Sequence, residues 1–245
     1  MPRFLHSSGS SRPDVCCQTR QTARVSVDDR GHAAPRVVDA GPTRGARGPC
    51  LVWRLPDPMR GISSSIVGGG IGPVSWVLNT TVDEDYDRLD PDLHLQQIAR
   101  RLDLDGRGVA MMTAVAVSEY QEAETNGAAA WATVGISRPV WAAEFCDPVE
   151  PDAGPGTINL IVMVPVNLGD AALVNAVATA TEAKVQALLH CGIDGTGTAS
   201  DAVAVLCAAD GTPERFGGPR STWGGRIACA VHDATLAGIA AQQNR

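Results

Sequence analysis

The sequence predicts an α+β (mixed α/β) fold, a single layered domain with a mixed or antiparallel sheet packed by helices. Three observations predict it. Apolar runs of strand length outnumber segments with helical period, neighbouring runs often follow one another with no helix between them, and aromatics make up only 4% of a chain rich in Ala, Val and Gly. Parallel neighbours need a long crossover, usually helical, so strands that lack one favour antiparallel or mixed pairing. Small side chains let the layers pack closely. At 245 residues, with 44% hydrophobic and 19% charged, the chain falls in the ordinary range for one domain with a sizeable core.

Residues 1–48 are rich in Arg, Ser, Pro and Gly and show no sustained period. They read as a disordered or loosely attached extension with no assigned chemistry, in which 25–27 and 36–39 are short strand candidates. The domain proper is 49–245. Within it, 51–55 reads as a strand, 56–58 as a Pro-bounded turn, 63–72 as a Ser/Gly-rich loop and 74–81 as a strand. Asp90 before Pro91 suits a helix start, with a helix to about Leu102 that stops before Gly106. Segments 109–117 and 129–136 read as buried strands around a polar connection, and 157–166 as the most strand-like stretch, hence central. Asp170 is placed to cap a helix over 171–190, ended by Gly192. A loop over 193–200, a strand over 202–208, a turn-rich 211–218 and a closing helix over 224–239 complete the order.

Charge is uneven. Residues 1–60 hold ten Arg against five Asp, and the rest holds ten basic against twenty-two acidic residues. An acidic body excludes a nucleic-acid partner, whose phosphates need a basic footprint. No apolar run is long enough to span a bilayer, and the N-terminus has no signal-peptide pattern, so a cytoplasmic location without membrane contact is expected. Seven cysteines with no C-x-x-C pair and no histidine at zinc-ligand spacing read as reduced, mostly buried thiols, Cys207 and Cys229 in apolar runs among them. No metal site and no cofactor are expected. Nothing in the pattern sets an oligomeric state.

On a helical wheel, Asn175, Thr179, Glu182 and Gln186 form a narrow polar stripe. A broad apolar arc holds Leu173, Val177, Thr181, Val185, Leu188 and Leu189, and a lane of alanines (172, 176, 180, 183, 187) lies between. Almost devoid of long charged side chains, the stripe reads as a cavity lining as readily as a solvated face. Lys184 is the only lysine in the chain. It falls inside the apolar arc, nearly opposite Glu182, where a buried amine acts as a base, anchors an anion or snorkels outward. The following loop, 195–201, offers Thr196, Thr198, Ser200 and Asp201 between glycines, a composition suited to an oxyanion or phosphate cradle. In the 63–72 loop, Gly69 and Gly70 are suited to close approach to a ligand. Neither a Gly-x-Ser-x-Gly elbow nor a His-Glu-x-x-His motif is present.

Taken in order, eight blocks carry a resemblance: 64–79 (SSIVGGGIGPVSWVLN), 85–87 (DYD), 108–114 (GVAMMTA), 133–135 (TVG), 155–159 (PGTIN), 173–188 (LVNAVATATEAKVQAL), 195–203 (GTGTASDAV) and 216–220 (FGGPR). Over roughly 51–240 the chain resembles the adenosylcobinamide amidohydrolase family of archaea and bacteria. That resemblance implies hydrolysis of adenosylcobinamide to adenosylcobyric acid and aminopropanol in corrinoid salvage, with the corrinoid as small-molecule substrate. It brings no catalytic set with it, so the candidates rest on residue chemistry in the matched blocks. Glu182 or Asp201 would activate water and Lys184 or loop N–H groups would stabilise the oxyanion. Asn175 and Thr179 would orient the amide, with Thr196, Thr198, Ser200, Gly69, Gly70 and Asn79 as further substrate contacts. Gln97 stands where an Asp-x-His-x-x-Gly cobalt-ligating motif has glycine, so binding through the ring edge, amides and adenosyl group is expected rather than histidine on cobalt. Trp76, Trp131, Trp141 and Trp223 are candidate flat surfaces for it. The alternatives are a non-catalytic corrinoid-binding protein and an amidohydrolase of another N-alkyl amide.

Overall fold

The computed structural model describes residues 34–46, 48–144 and 156–244. The strand candidate at 25–27 and Cys16, Cys17 and Cys146 lie outside the described residues. Among the described residues the strands are β1 Arg36–Val38, β2 Cys50–Ser63, β3 Gly70–Thr81, β4 Gly108–Thr113, β5 Gln121–Thr125, β6 Ala128–Ile136, β7 Gly156–Val164 and β8 Ala202–Cys207, and the helices are α1 Pro91–Arg101, α2 Asp170–His190 and α3 Thr222–Gln243. All eight strands join one sheet in the order β4-β3-β2-β8-β7-β6-β5, with β1 along the N-terminal half of β2. The parallel pairs are β3/β4 and β7/β8, and these are the pairs with a helix, α1 or α2, between their strands. The other pairings are antiparallel, so the predicted mixed sheet is the sheet that forms.

Strand alternation separates two faces. In β7, Ile158, Leu160, Val162 and Val164 face α2 and α3, where they meet Ala176, Ala180, Ile227 and Ala230. The intervening Ile161 and Met163 face the opposite way and share a core with Leu51 and Trp53 of β2, Met111 of β4 and Trp131 of β6. That core draws on both halves of the sheet. The sheet therefore curls around its inner face, where Trp53 and Trp131 meet edge to face with centroids 5.7 Å apart. α1 covers the outer face of the other half through Leu95 and Ile98 against Trp76, Leu78 and Ala110.

Two predicted features change. The turn expected at 56–58 is a register shift within one long β2, between Arg54 and Met59, because the strand resumes pairing beyond its prolines. The polar connection before β6 is itself strand β5, joined to β6 by a tight turn in which Asn126 (φ 48°) and Gly127 (φ 89°) take the left-handed conformation such turns demand. On α2 the alanine lane is the buried face, whereas Val174 and Leu189 are exposed. Small residues win there because α3 and the sheet approach α2 closely. Residues 36–46 are joined to the same sheet, with β1 paired to β2 and Ala46 buried.

Candidate active site

Five separate segments converge on a cleft of about 450 Å³ at one end of the curled inner face. Its walls are Ser64, Ser65 and Ile66 after β2, Asp83, Glu84 and Tyr86 after β3, Met111 to Ala114 ending β4, Gly156, Thr157 and Asn159 opening β7, and Ala199 to Ala202 leading into β8. The first wall is stitched to the last. Ser64 donates its backbone N–H to Val203 O at 3.0 Å, and its hydroxyl oxygen accepts Val203 N–H at 3.0 Å.

Asn159 forms the floor. It follows Thr157 on the inward face of β7, ahead of Ile161 and Met163, and is 1% exposed. Its amide nitrogen donates both protons, to Asn79 Oδ1 and to Met112 O, each at 2.9 Å. Asn79 in turn donates to Thr133 Oγ1 at 3.0 Å. These bonds fix which way the Asn159 amide points and leave its Oδ1 buried with no partner. An unsatisfied buried acceptor costs roughly 1–3 kcal/mol, and in a cleft that cost is relieved by a ligand N–H or O–H.

Beside it stands a charged strut. Asp201 Oδ1 accepts from Ile158 N at 2.9 Å and from Thr198 Oγ1 at 2.6 Å, while Oδ2 accepts from Thr198 N at 3.2 Å and from Lys184 Nζ at 2.5 Å. Lys184 is 5% exposed. Gly197 lies against the pair so closely that a Cβ there would come within 2.3 Å of the carboxylate and 2.6 Å of the amine. Donors fill the acceptor positions of this carboxylate. Asp201 is thereby a clamp tying the 195–201 loop to β7 and α2, with no lone pair left to take a proton from water. Ser200 Oγ donates to Gly156 O at 3.0 Å and is 2.7 Å from Thr157 Oγ1, closing the same corner.

The second wall carries a half-buried phenol backed by a buried imidazole. Tyr86 stacks on His94 of α1, their planes 9° apart, and its hydroxyl lies 3.0 Å from His94 Nδ1. The other ring nitrogen of His94 is 2.6 Å from Thr43 Oγ1. Burial pushes the Tyr86 phenol up and the His94 imidazole down from their ordinary values. With both nitrogens engaged and the ring fully buried, His94 is closed to a cobalt ligand.

The structure brings part of the predicted set together. Asp201 and Ser200 line the cleft, Lys184 and Thr198 brace Asp201, and Asn79 stands behind Asn159. Thr196 turns away, its hydroxyl bonded to Ala142 N and Val140 O. Gly69 and Gly70 shape the turn beneath the Ser64 wall, where a Cβ on Gly69 would meet Ser65 O at 2.6 Å and Gly70 holds φ 79°, and neither borders the cleft. The polar stripe of α2 is a correction. Thr179 is buried with its hydroxyl on Gly217 O, Asn175 is exposed beside Gly218, and Glu182 is exposed with Gln186 and His190 on the face turned away from Asp201. The stripe follows the 216–218 loop and solvent rather than the cleft. Trp76 and Trp131 are core residues, Trp223 carries Arg226 over its ring, and Trp141 bonds Asp194. Cys50 and Cys207 are buried free thiols, whereas Cys229 is exposed on α3. Asn159, Thr157, Tyr86 and Glu84 escape the residue-level reading. The available signal was a lone Asn at an inward position among β-branched and aliphatic neighbours.

Among the described residues no three His, Cys, Asp or Glu side chains are grouped to hold a metal ion, and no helix is long and apolar enough to cross a membrane. A family model described as adenosylcobinamide amidohydrolase matches residues 37–245. An adenosylcobinamide amidohydrolase of Methanosarcina mazei is 30% identical over 185 residues, 72% of this chain and 88% of that protein. One from Halobacterium salinarum is 34% identical over 138 residues, 53% of this chain and 57% of that protein. A solved structure, the PH0078 protein of Pyrococcus horikoshii OT3, aligns over 85% of this chain and 83% of that chain with a TM-score of 0.42 and 11% identity.

Proposed function

The chain belongs to the adenosylcobinamide amidohydrolase family, and from that premise we propose that it hydrolyses the side-chain amide of adenosylcobinamide in the cleft floored by Asn159. The products are adenosylcobyric acid and aminopropanol, and the setting is cytoplasmic corrinoid salvage. The corrinoid enters as substrate, and the roles assigned below fall to the protein's own groups. The observation that carries this reading is convergence. Five of the blocks that resemble the family, 64–79, 85–87, 108–114, 155–159 and 195–203, lie far apart in sequence and each contributes to the wall of one cleft.

A volume of about 450 Å³ suits a side chain and its amide, with the larger corrin ring outside, against exposed Ile66 at the rim. The buried Oδ1 of Asn159 accepts the scissile amide N–H and sets its orientation. Ser64 Oγ already accepts a backbone N–H, so its proton is available to the carbonyl oxygen as negative charge develops there. The rim carboxylate Glu84 takes the proton of the attacking water, the role that the saturated Asp201 is unsuited to fill. Incubation of the purified protein with adenosylcobinamide, followed by mass spectrometry, tests the reading. Equimolar adenosylcobyric acid and aminopropanol are expected. A folded protein that binds the corrinoid and yields no product is a carrier, which overturns it.

A further inference from the structure

Amide hydrolysis stalls unless the departing nitrogen is protonated, because an amide anion is too basic a leaving group. Among the hydroxyls that line the cleft, the Tyr86 phenol is backed by a histidine. Tyr86 borders the cleft, and behind it His94 of α1 and Thr43 of the turn that precedes β2 continue a line of hydrogen bonds. The distances favour one placement of the protons along that line. The Thr43–His94 separation of 2.6 Å is in the range of a hydroxyl donor, and the His94–Tyr86 separation of 3.0 Å is that of an N–H donor. The Thr43 hydroxyl has its shorter contact, 2.6 Å, to Nε2 and its longer, 3.3 Å, to Ala46 O, and with its proton on Nε2 it is Nδ1–H that donates to the phenol oxygen. This tautomer leaves the phenolic proton of Tyr86 uncommitted, with a donor already aimed at the oxygen that would carry charge once the proton is gone.

We propose that Tyr86 is the general acid of this reaction, with His94 as its positioning residue. The assignment rests on the amidohydrolase reading above. Water adds to the carbonyl carbon and gives a proton to the rim carboxylate. The C–N bond breaks with its electron pair going to nitrogen, and nitrogen takes the Tyr86 proton. His94 Nδ1–H stabilises the resulting phenolate until the proton held by the carboxylate returns to it through water. Atoms and charge balance as amide plus water giving acid plus amine. The surroundings keep the phenol protonated beforehand: burial raises it above its ordinary value, with Asp90 and Asp87 acting in the same sense and Arg88 against it.

The test compares two substrates on wild type and Tyr86→Phe, a change that keeps the ring on His94 and against Gly45 and removes only the hydroxyl. The substrates are adenosylcobinamide and the 4-nitrophenyl ester of the same acyl group, whose leaving group departs without a proton. Tyr86→Phe is expected to lose on the order of 10²–10⁴-fold in kcat on the amide while keeping ester turnover and an unchanged melting temperature. Amide turnover equal to wild type overturns the assignment, and so does an equal loss on both substrates, which marks a structural role. Wild type that cleaves the ester and not adenosylcobinamide refutes the adenosylcobinamide reading and this assignment with it, whereas an active wild type with an equally active Tyr86→Phe refutes the assignment alone.

Discussion

Lys184 is the residue whose importance was most legible. As the only lysine, at a position inside an apolar arc, it announces a buried amine, and it is found 5% exposed on Asp201. Its partner was not legible, since helix geometry says which way Lys184 points and nothing about which loop returns to meet it. Replacement by Met leaves a carboxylate buried without its cation, so Lys184→Met is expected to cost about 3–5 kcal/mol in denaturant unfolding and to loosen the 195–201 wall. Asn159 was hidden for the opposite reason. Its Oδ1 is significant only because both its N–H groups are spent elsewhere, a fact that belongs to the assembled sheet. His94 gives a pH dependence. Burial lowers its pKa below the ordinary 6.5, so as pH falls through 6.5 the unfolded chain binds a proton that the folded chain resists. Stability is full above pH 6.5 and declines as pH drops towards the folded value. Unfolding at pH 7.5 and 5.5 should show this loss in wild type and a smaller one in His94→Gln.

At the scale of elements, pattern located most strands and helices and misjudged how they face. β7 was legible from its unbroken aliphatic run, and α1 from Asp90-Pro91. Even there, Asp90 makes no side-chain cap, and its carboxylate is held by Arg88 instead, at 2.7 and 2.8 Å. β5 was missed because the charged alternation Gln121–Thr125 has no strong apolar face, although Asn126-Gly127 is a hairpin signal in its own right. On α2 the alanine lane, suited to close approach, carries the contact, while the widest apolar arc is partly exposed. The alanine lane predicts the direction of a substitution. Ala180→Leu pushes a branched side chain into a fully buried contact and should cost roughly 1–3 kcal/mol, measurable by thermal melting, whereas Val174→Ala on the exposed side should leave stability nearly unchanged.

For the whole molecule, the curl of one mixed sheet creates the cleft. Strand ends from both halves are brought around the shared inner core of Trp53 and Trp131, and the cleft opens where that core gives way to Asn79, Thr133 and Asn159. The fold class was legible from strand spacing, whereas the curl depends on inner-face packing between distant strands. Family blocks scattered across the chain become neighbours only through it. The cleft, and not the polar face of α2, is the proposed seat of amide hydrolysis. The most direct test is the initial rate of aminopropanol release from adenosylcobinamide by Asn159→Ala and Glu182→Gln beside the wild type. Asn159→Ala is expected to fall on the order of 10²-fold through loss of amide positioning, with Glu182→Gln unchanged. Full turnover by Asn159→Ala together with an inactive Glu182→Gln would contradict the account.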